Sequence, residues 1–483
     1  MIDKKLTLVL IFLFLNYGLQ LEAKVLFAQD DLAQLKDAYF TENRYSEFVD
    51  YLKNLKKEAP HPEASYYIAL SRYKQLGYLE ETQNWEEYFN LGEVYRQELI
   101  RQAQEAIRLT SSKGGPLFVY ANCLLWQYHK DMQDEHQESA LADLLNAVRQ
   151  YSDSADADLY VTKYVADRLS AYGDRINSQK VYGTYLDKLL ASLEENQEEK
   201  LISLAKELAY RENAVVDPLF AEEVFKKIDE INPELALDES TQYLRAYNLE
   251  KIKQYRDAFR QYRILTDNYL QSPHYAEAFF KMGAISAYIM RDIPFAQACF
   301  TQLLKESSGN QQVLASLYQL GLIAQYQEEF DKSREYYHAL LEKSREAFCG
   351  GDLVNATELR LKEIDENRAL EFNLRTFMDA SLKKEDEGEF LSPNVDIKVQ
   401  HFKLSPNQDV RISSYALTAE SGCIPVNLEY LWSGELGSAQ PQNYQDDFVT
   451  NYTCTGTKLI QLVVVTPSGI LDRTLVFLDL EVE

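Results

Sequence analysis

From residue 200 to 345 the apolar positions follow two interlocked periods. Inside each stretch they stand 3 or 4 apart, and the whole pattern returns after 37 or 38 residues. Small residues occupy Ala209, Ala246, Gly283 and Gly321, and a second small set is Ala221, Ala258, Ala296 and Ser333. An aromatic column runs through Phe225, Tyr262, Phe300 and Tyr337, and an aliphatic one through Ile228, Leu265, Leu303 and Leu340. Within one copy, Ala258, Tyr262 and Leu265 share a helix face. Ala246 lies 12 residues earlier, across a polar turn around Lys251 to Gln254, on a preceding helix. Small residues in both places let two antiparallel helices approach closely, while the larger ones fill the gap to the next pair. A single pair cannot bury its own apolar faces, so the copies must stack.

The same grammar extends toward the N-terminus with less regularity. Tyr45, Phe48, Leu52, Leu55 and Pro60 have the spacing of a second repeat helix, with a partner near Asp31 to Phe40. A further helix over about Glu63 to Leu76 carries Tyr66, Ala69, Leu70 and Tyr73. Tyr88 to Leu109 and Tyr160 to Tyr172 read as long amphipathic helices. Before all of these, Lys4 and Lys5 precede an apolar run from Leu6 to Leu15. That run is shorter than the roughly 20 residues a membrane helix needs. It reads as a signal peptide over residues 1–28, cleaved after Ala28, with an uncleaved tether as the alternative.

After Glu363 the helical pattern fades. Residues 366–390 read as a helix end, ambiguous over 368–380 between helix and strand, and a charged linker, Lys383 to Glu389. From residue 391 the pattern becomes alternating. Val476, Leu478, Leu480 and Val482 alternate with Phe477, Asp479 and Glu481, as in a half-buried strand. Lys458 to Thr466 is another strand, joined through a hairpin turn at Pro467-Ser-Gly469. Further strands are expected at 396–403, 409–418 and 425–433, which suggests a β-sandwich over 391–483.

The repeat columns resemble the tetratricopeptide repeat (TPR) family: small–x11–small, an aromatic four later, an aliphatic three after that. Tyr255 and Phe330 precede the second small position by three, and Pro233 sits where that family often closes a unit. The usual period of this family is 34, so the longer unit implies about one extra helical turn. Such units look like those of periplasmic TPR proteins. The tail resembles the polycystic-kidney-disease (PKD) type of immunoglobulin-like domain. The residues that carry this are Tyr430-Leu-Trp432, then Tyr452, Gly456, Leu459, Gln461, Val463 and Val465, then Gly469. The acidic loop that family carries after its Trp is replaced here by Ser433 to Gly437. The expected architecture is therefore mainly α: a TPR-like α-solenoid, degenerate over 29–199 and regular over 200–365, followed by a small all-β sandwich.

Charge narrows the function. Fifty Lys and Arg against 76 Asp and Glu give −26, which disfavours nucleic acid and anionic lipid as partners. Five cysteines in 483 residues are too few for a disulfide scaffold. Cys423 and Cys454 flank Trp432, as immunoglobulin cysteines do, but the expected strands put them at opposite ends, roughly 25–30 Å apart. Cys299 sits on an apolar helix face and reads as buried. His129 and His136, seven apart, read as solvent-facing rather than as a metal pair. The glycine pairs at 114–115 and 350–351 read as helix terminators. No phosphate loop, metalloprotease helix or nucleophile elbow occurs, and no catalytic residue, metal site or cofactor is expected.

By resemblance to TPR proteins, the first helix of each pair lines a binding groove. The columns assign Lys206, Tyr210, Asn213, Tyr243, Tyr247, Glu250, Phe280, Tyr318 and Gln325 to that wall. Tyr210 and Tyr247 are the better candidates for exposure, whereas Tyr243 and Tyr318 could equally pack between repeats. The expectation is a non-enzymatic periplasmic or secreted scaffold. It would bind extended or helical segments of partner proteins in envelope assembly, division or transport. The alternative is a carbohydrate- or peptidoglycan-binding protein acting through the β-domain.

Overall fold

A computed structural model describes residues 30–57, 59–112, 114–154, 157–191, 197–212, 216–306, 311–347, 351–382, 395–416, 428–467 and 469–481. The proposed signal segment, the charged linker, Asn213, Cys349 and Cys423 lie outside the described residues. The chain is mainly α, with an all-β C-terminal part. It divides into two compact units, one holding residues up to Leu208 with 213–224, the other Ala209–Glu212 with Phe225 onward. No helix among the described residues is long and apolar enough to cross a membrane.

The first unit is built of helix pairs in chain order. They are α1 (Asp30–Thr41) with α2 (Tyr45–Leu55), and α3 (Pro62–Glu81) with α4 (Trp85–Thr110). Next come α5 (Pro116–Met132) with α6 (Gln137–Ser152), α7 (Leu159–Ala171) with α8 (Arg175–Ala191), and then α9 (Gln197–Leu208). Prolines 62 and 116 open their helices where a missing N–H costs nothing. Asn84 and Asp158 cap the next starts with side-chain oxygens.

Helix α10 (Pro218–Ile231) spans the division between units. The second unit continues with α11 (Glu239–Lys251) and α12 (Tyr255–Asn268), then α13 (Tyr275–Ile285) and α14 (Ile293–Glu306). A π-helical turn, Ser286–Met290, follows α13. After these come α15 (Gln311–Tyr326), α16 (Phe330–Ala347), α17 (Gly351–Asp365) and α18 (Phe372–Leu382). The segment left ambiguous by the sequence is thus a helix, and Gly351 opens a helix instead of ending one.

All sixteen residues of the four repeat columns are buried or enclosed by the fold, and the glycines show why their column is small. A Cβ on Gly283 would lie 2.5 Å from the Phe300 ring, and one on Gly321 would lie 2.3 Å from Tyr337. The aromatic column therefore packs on the small column of its own pair. Ser333 confirms the close approach, since its hydroxyl donates to the Gly321 carbonyl at 2.9 Å. The turns within pairs share a second device. Asn43, Gln83, Lys253, Arg291 and Glu328 all adopt positive φ between 56° and 63°. One left-handed residue reverses the chain between the two helices, in both units.

The β part has two sheets, with strand orders β1-β3-β5 and β2-β7-β6-β4. Its strands are β1 (Val395–Val399), β2 (Lys403–Leu404), β3 (Val410–Ala416), β4 (Glu429–Gly434), β5 (Asp447–Thr450), β6 (Gly456–Thr466) and β7 (Gly469–Leu480). Between the sheets lie Ile397, Val410, Ile412, Trp432, Phe448, Ile460, Leu462, Val464, Val476 and Leu478. Trp432 is core, and its indole N–H donates to the Gln445 carbonyl at 2.9 Å. Strand β7 departs from the half-buried expectation. Its alternate residues Leu475 and Phe477 join the helical core, together with Leu431, Leu459 and Val463 from β4 and β6. The four-stranded sheet is therefore buried on both faces, as its long run Leu459-Ile-Gln-Leu-Val-Val-Val465 requires. Asn373 on α18 donates to the Trp432 carbonyl at 3.1 Å and covers the β4 edge.

Candidate functional site

The wall assigned to partner binding exists in the second unit, but the chain itself fills it. Tyr243, Tyr247 and Glu250 on α11, Phe280 on α13, and Tyr318 and Gln325 on α15 are all buried. Tyr247 is only 2% exposed, although the sequence favoured its exposure. What covers part of this wall is the outer face of β7 and its neighbours. The Tyr255 hydroxyl donates to the Leu475 carbonyl at 2.8 Å, and Lys251 Nζ to the Phe477 carbonyl at 3.2 Å. Tyr210 is half-buried: its ring meets Phe402 edge-on at 5.5 Å and its hydroxyl donates to Glu212 at 2.9 Å. Lys206 belongs to the first unit and is half-buried. The six assigned residues on α11, α13 and α15 thus form no open groove in the second unit.

At the centre of the filled wall is a buried charge cluster. Lys281 is fully enclosed, and its Nζ lies 2.7 Å from Glu277, 3.0 Å from Glu250 and 2.9 Å from Asp479. Lys251 pairs with Glu250 at 2.7 Å. Tyr262 and Tyr243 donate to Glu250 and Glu277 at 2.7 and 2.8 Å, and Thr457 donates to Asp479 at 2.9 Å. The Tyr243 ring also stacks on His274 at 3.6 Å. Three carboxylates face two ammonium groups. Burial opposes charge on Glu277, but Lys281 and its hydrogen bonds prevail and hold it below the usual carboxylate range. Burial opposes charge on Lys281 as well, and the three carboxylates hold it well above the usual lysine value. Within the second unit the cluster joins α11 and α13 to β6 and β7.

Also in the second unit, a cavity of about 160 Å³ is lined by Tyr318, Asp352, Arg360, Glu371, Ser433 and Glu435 among others. Arg360 Nη2 pairs with Glu371 at 2.6 Å and Glu363 at 3.2 Å, and Gln325 donates to Glu363 at 3.2 Å. Burial pushes Glu435 above its ordinary value, opposed by Lys458.

The first unit carries a second tyrosine wall that the sequence reading did not assemble. It lies on the first helices of successive pairs. Tyr66 on α3 meets Tyr120 on α5 at 6.4 Å, and Tyr120 meets Tyr164 on α7 at 5.0 Å. Two or three helical turns further along, Tyr73 donates to Asp131 at 2.6 Å. Its hydroxyl also lies 3.2 Å from that of Tyr172. Separations of 7, 11 and 8 residues on the three segments keep both rungs on one face. Trp126 supports the second rung with its ring 5.2 Å from Tyr172, and Arg168 lies over Tyr164 at 5.1 Å. Tyr73, Asp131, Tyr164 and Tyr172 are half-buried. Burial pushes the Asp131 carboxyl up to about 6, against the opposing hydrogen bonds of Tyr73 and Tyr172. The recurrence of Tyr at two-turn spacing on α3 was the available signal.

The histidine pair is not two solvent-facing residues. Helix α5 ends at Met132, His129 is buried, and its Nδ1 lies 2.8 Å from Asp134. Among the described residues no group of three or more His, Cys, Asp or Glu is placed to hold a metal. Cys299 is buried as expected, and burial raises its thiol to about 12. Cys454 is disulfide-bonded, while Cys123 and Cys299 are free. No family model matches the chain, and no curated protein matches it.

Proposed function

We propose that this chain is a non-enzymatic, TPR-like binding scaffold of the bacterial periplasm or of secreted proteins. Its working wall is the tyrosine face of the first unit. The observation that carries the reading is the pair of rungs Tyr66–Tyr120–Tyr164 and Tyr73–Asp131–Tyr172. They give rigid amphipathic rings along three successive helices, Tyr66 and Tyr120 buried and Tyr73, Asp131, Tyr164 and Tyr172 half-buried at the surface of the wall. The second unit supports the idea by example. There α11, α13 and the start of α12 hold a β-strand by two carbonyls, its apolar side chains and one carboxylate. An extended segment of a partner protein fits the same chemistry. The acidic chain favours basic or neutral segments, and envelope assembly, division or transport would supply such partners.

The alternative of carbohydrate binding through the β-domain has less support, because Trp432 is buried and one sheet is covered on both faces. A photo-crosslinking residue at Tyr164, compared with one at Tyr247, tests the proposal in intact envelopes. Discrete protein adducts at 164 that vanish with Tyr73→Ala/Tyr120→Ala would support it. Adducts only at 247, or none at either position, would move the working surface elsewhere.

A further inference from the structure

Helix α4 begins with an aromatic cluster that no repeat column explains. Trp85, Tyr88 and Phe89 stand at i, i+3 and i+4, on one face of its first turns. The start is fixed twice: Gln83 is left-handed with φ 56°, and the Asn84 side chain accepts from the Glu87 N–H at 3.4 Å. Tyr88 is the anchor. Its ring packs against the core of Leu76, Leu79, Tyr95, Leu99 and Tyr128, and its hydroxyl accepts from Arg96 Nη2 at 2.6 Å. Trp85 and Phe89 both lean edge-on against it, at 5.9 and 5.8 Å. Their own rings lie 6.3 Å apart and only 32° from parallel. Trp85 is 45% exposed and Phe89 78%.

Two large rings held outward on a third, core-bound ring are not scattered surface hydrophobes. A fully covered aromatic side chain buries about 150–250 Å², so this platform offers a few hundred. A stable protein interface needs roughly 800 Å² per partner. The platform is therefore small for a protein and suited to one or two sugar rings. Pyranoses with equatorial substituents present flat C–H faces to an aromatic ring and hydroxyls at their rim. Carboxylates surround the platform: Glu86 and Glu87 on the first turn, with Glu80 and Glu81 at the end of α3. The same carboxylates repel uronic or phosphorylated polymers.

We propose that Trp85 and Phe89 form a stacking site for a neutral, β-linked pyranose chain. The site is independent of the protein-binding wall. The test is a titration of the full chain with cellohexaose and chitohexaose, beside an oligogalacturonate, followed by tryptophan fluorescence. Trp126 and Trp432 are each about 2% exposed, so Trp85 dominates any change in quenching by acrylamide. The expected result is a blue shift and protection from acrylamide with a neutral oligomer and none with the anionic one. Phe89→Ala should weaken binding about tenfold. Trp85→Ala, read by calorimetry, should do at least as much, with thermal unfolding unchanged. Failure of both neutral oligomers to bind at millimolar concentration would overturn the site. So would equal binding by both variants and the wild type. A concentration-dependent dimer abolished by Phe89→Ala would also overturn it, since the patch would then belong to a second copy.

Discussion

Replacing Lys281 with Met tests whether the buried charge cluster holds the sheet on the helices. The side chain is fully enclosed, and three carboxylate oxygens lie within 3.0 Å of its Nζ. At an effective dielectric constant near 20, each such contact is worth ~5 kcal/mol before desolvation and carboxylate repulsion are subtracted. Removing one partner of a buried pair typically costs about 3–5 kcal/mol net. For a unit of this size that lowers the unfolding midpoint by roughly 6–20 °C. The pH dependence is the sharper measurement. In the wild type the folded pKa of Glu277 lies below its unfolded value, so its contribution is complete above about pH 4.5 and is lost below it. In Lys281→Met the same carboxyl sits buried beside Glu250 and Asp479 without its cation. Its pKa then rises above the unfolded value, and the variant gains stability as pH falls from 8 to 5. The gap between the two proteins should therefore narrow on acidification, as followed by thermal and urea unfolding at each pH. Lys281→Met/Asp479→Asn should recover part of the loss at pH 7.5. A gap that stays constant from pH 8 to 5, or is under about 1 kcal/mol, would refute the reasoning.

Three further outcomes are expected. Residues 391–483 expressed alone would expose Leu431, Leu459, Val463, Leu475 and Phe477, roughly 7–15 kcal/mol of burial; they should self-associate in sedimentation experiments rather than run as a monomer. Gly321→Ala should destabilise the second unit by about 1–3 kcal/mol in chemical unfolding, because its new methyl meets the Tyr337 ring and outweighs the gain in helix propensity. The folded pKa of Asp131, raised to about 6, means that stability held below pH 4 is lost as pH rises toward 6; Asp131→Asn should raise stability by about 1–3 kcal/mol at pH 7.5 and leave it unchanged at pH 4.

The repeat was legible because its columns are local. Ala258, Tyr262 and Leu265 lie within eight residues, and a 37-residue period needs no knowledge of distant partners. Helix α2 and the long α4 were readable for the same reason. The left-handed turn column was not, because Asn, Gln, Lys, Arg and Glu share no chemistry beyond tolerating that backbone there. The closed groove was invisible for a different reason. Asp479 alternates with Leu478 and Leu480 as a solvent-facing residue would, and its cation lies 198 positions earlier. Nothing local to Tyr247 or Phe477 signals that they belong to one core. Seven of the wall residues lie on α9, α11, α13 and α15 and Tyr210 lies past the end of α9, but what lies across from them depends on a contact no spacing rule reaches.

The doubly buried sheet also constrains the order in which the molecule can be made. Helices α11 to α15 leave the ribosome long before β7 does. Until that strand arrives, Lys281, Glu250 and Glu277 face water without Asp479, and the apolar seats for Leu475 and Phe477 stand empty. Long-range closures of this kind are slow and leave sticky surface exposed in the meantime. The middle of the chain must therefore wait, stacked but incomplete, for its last strand, and a product stopped short of β7 would carry its defect in helices more than a hundred residues upstream of the break.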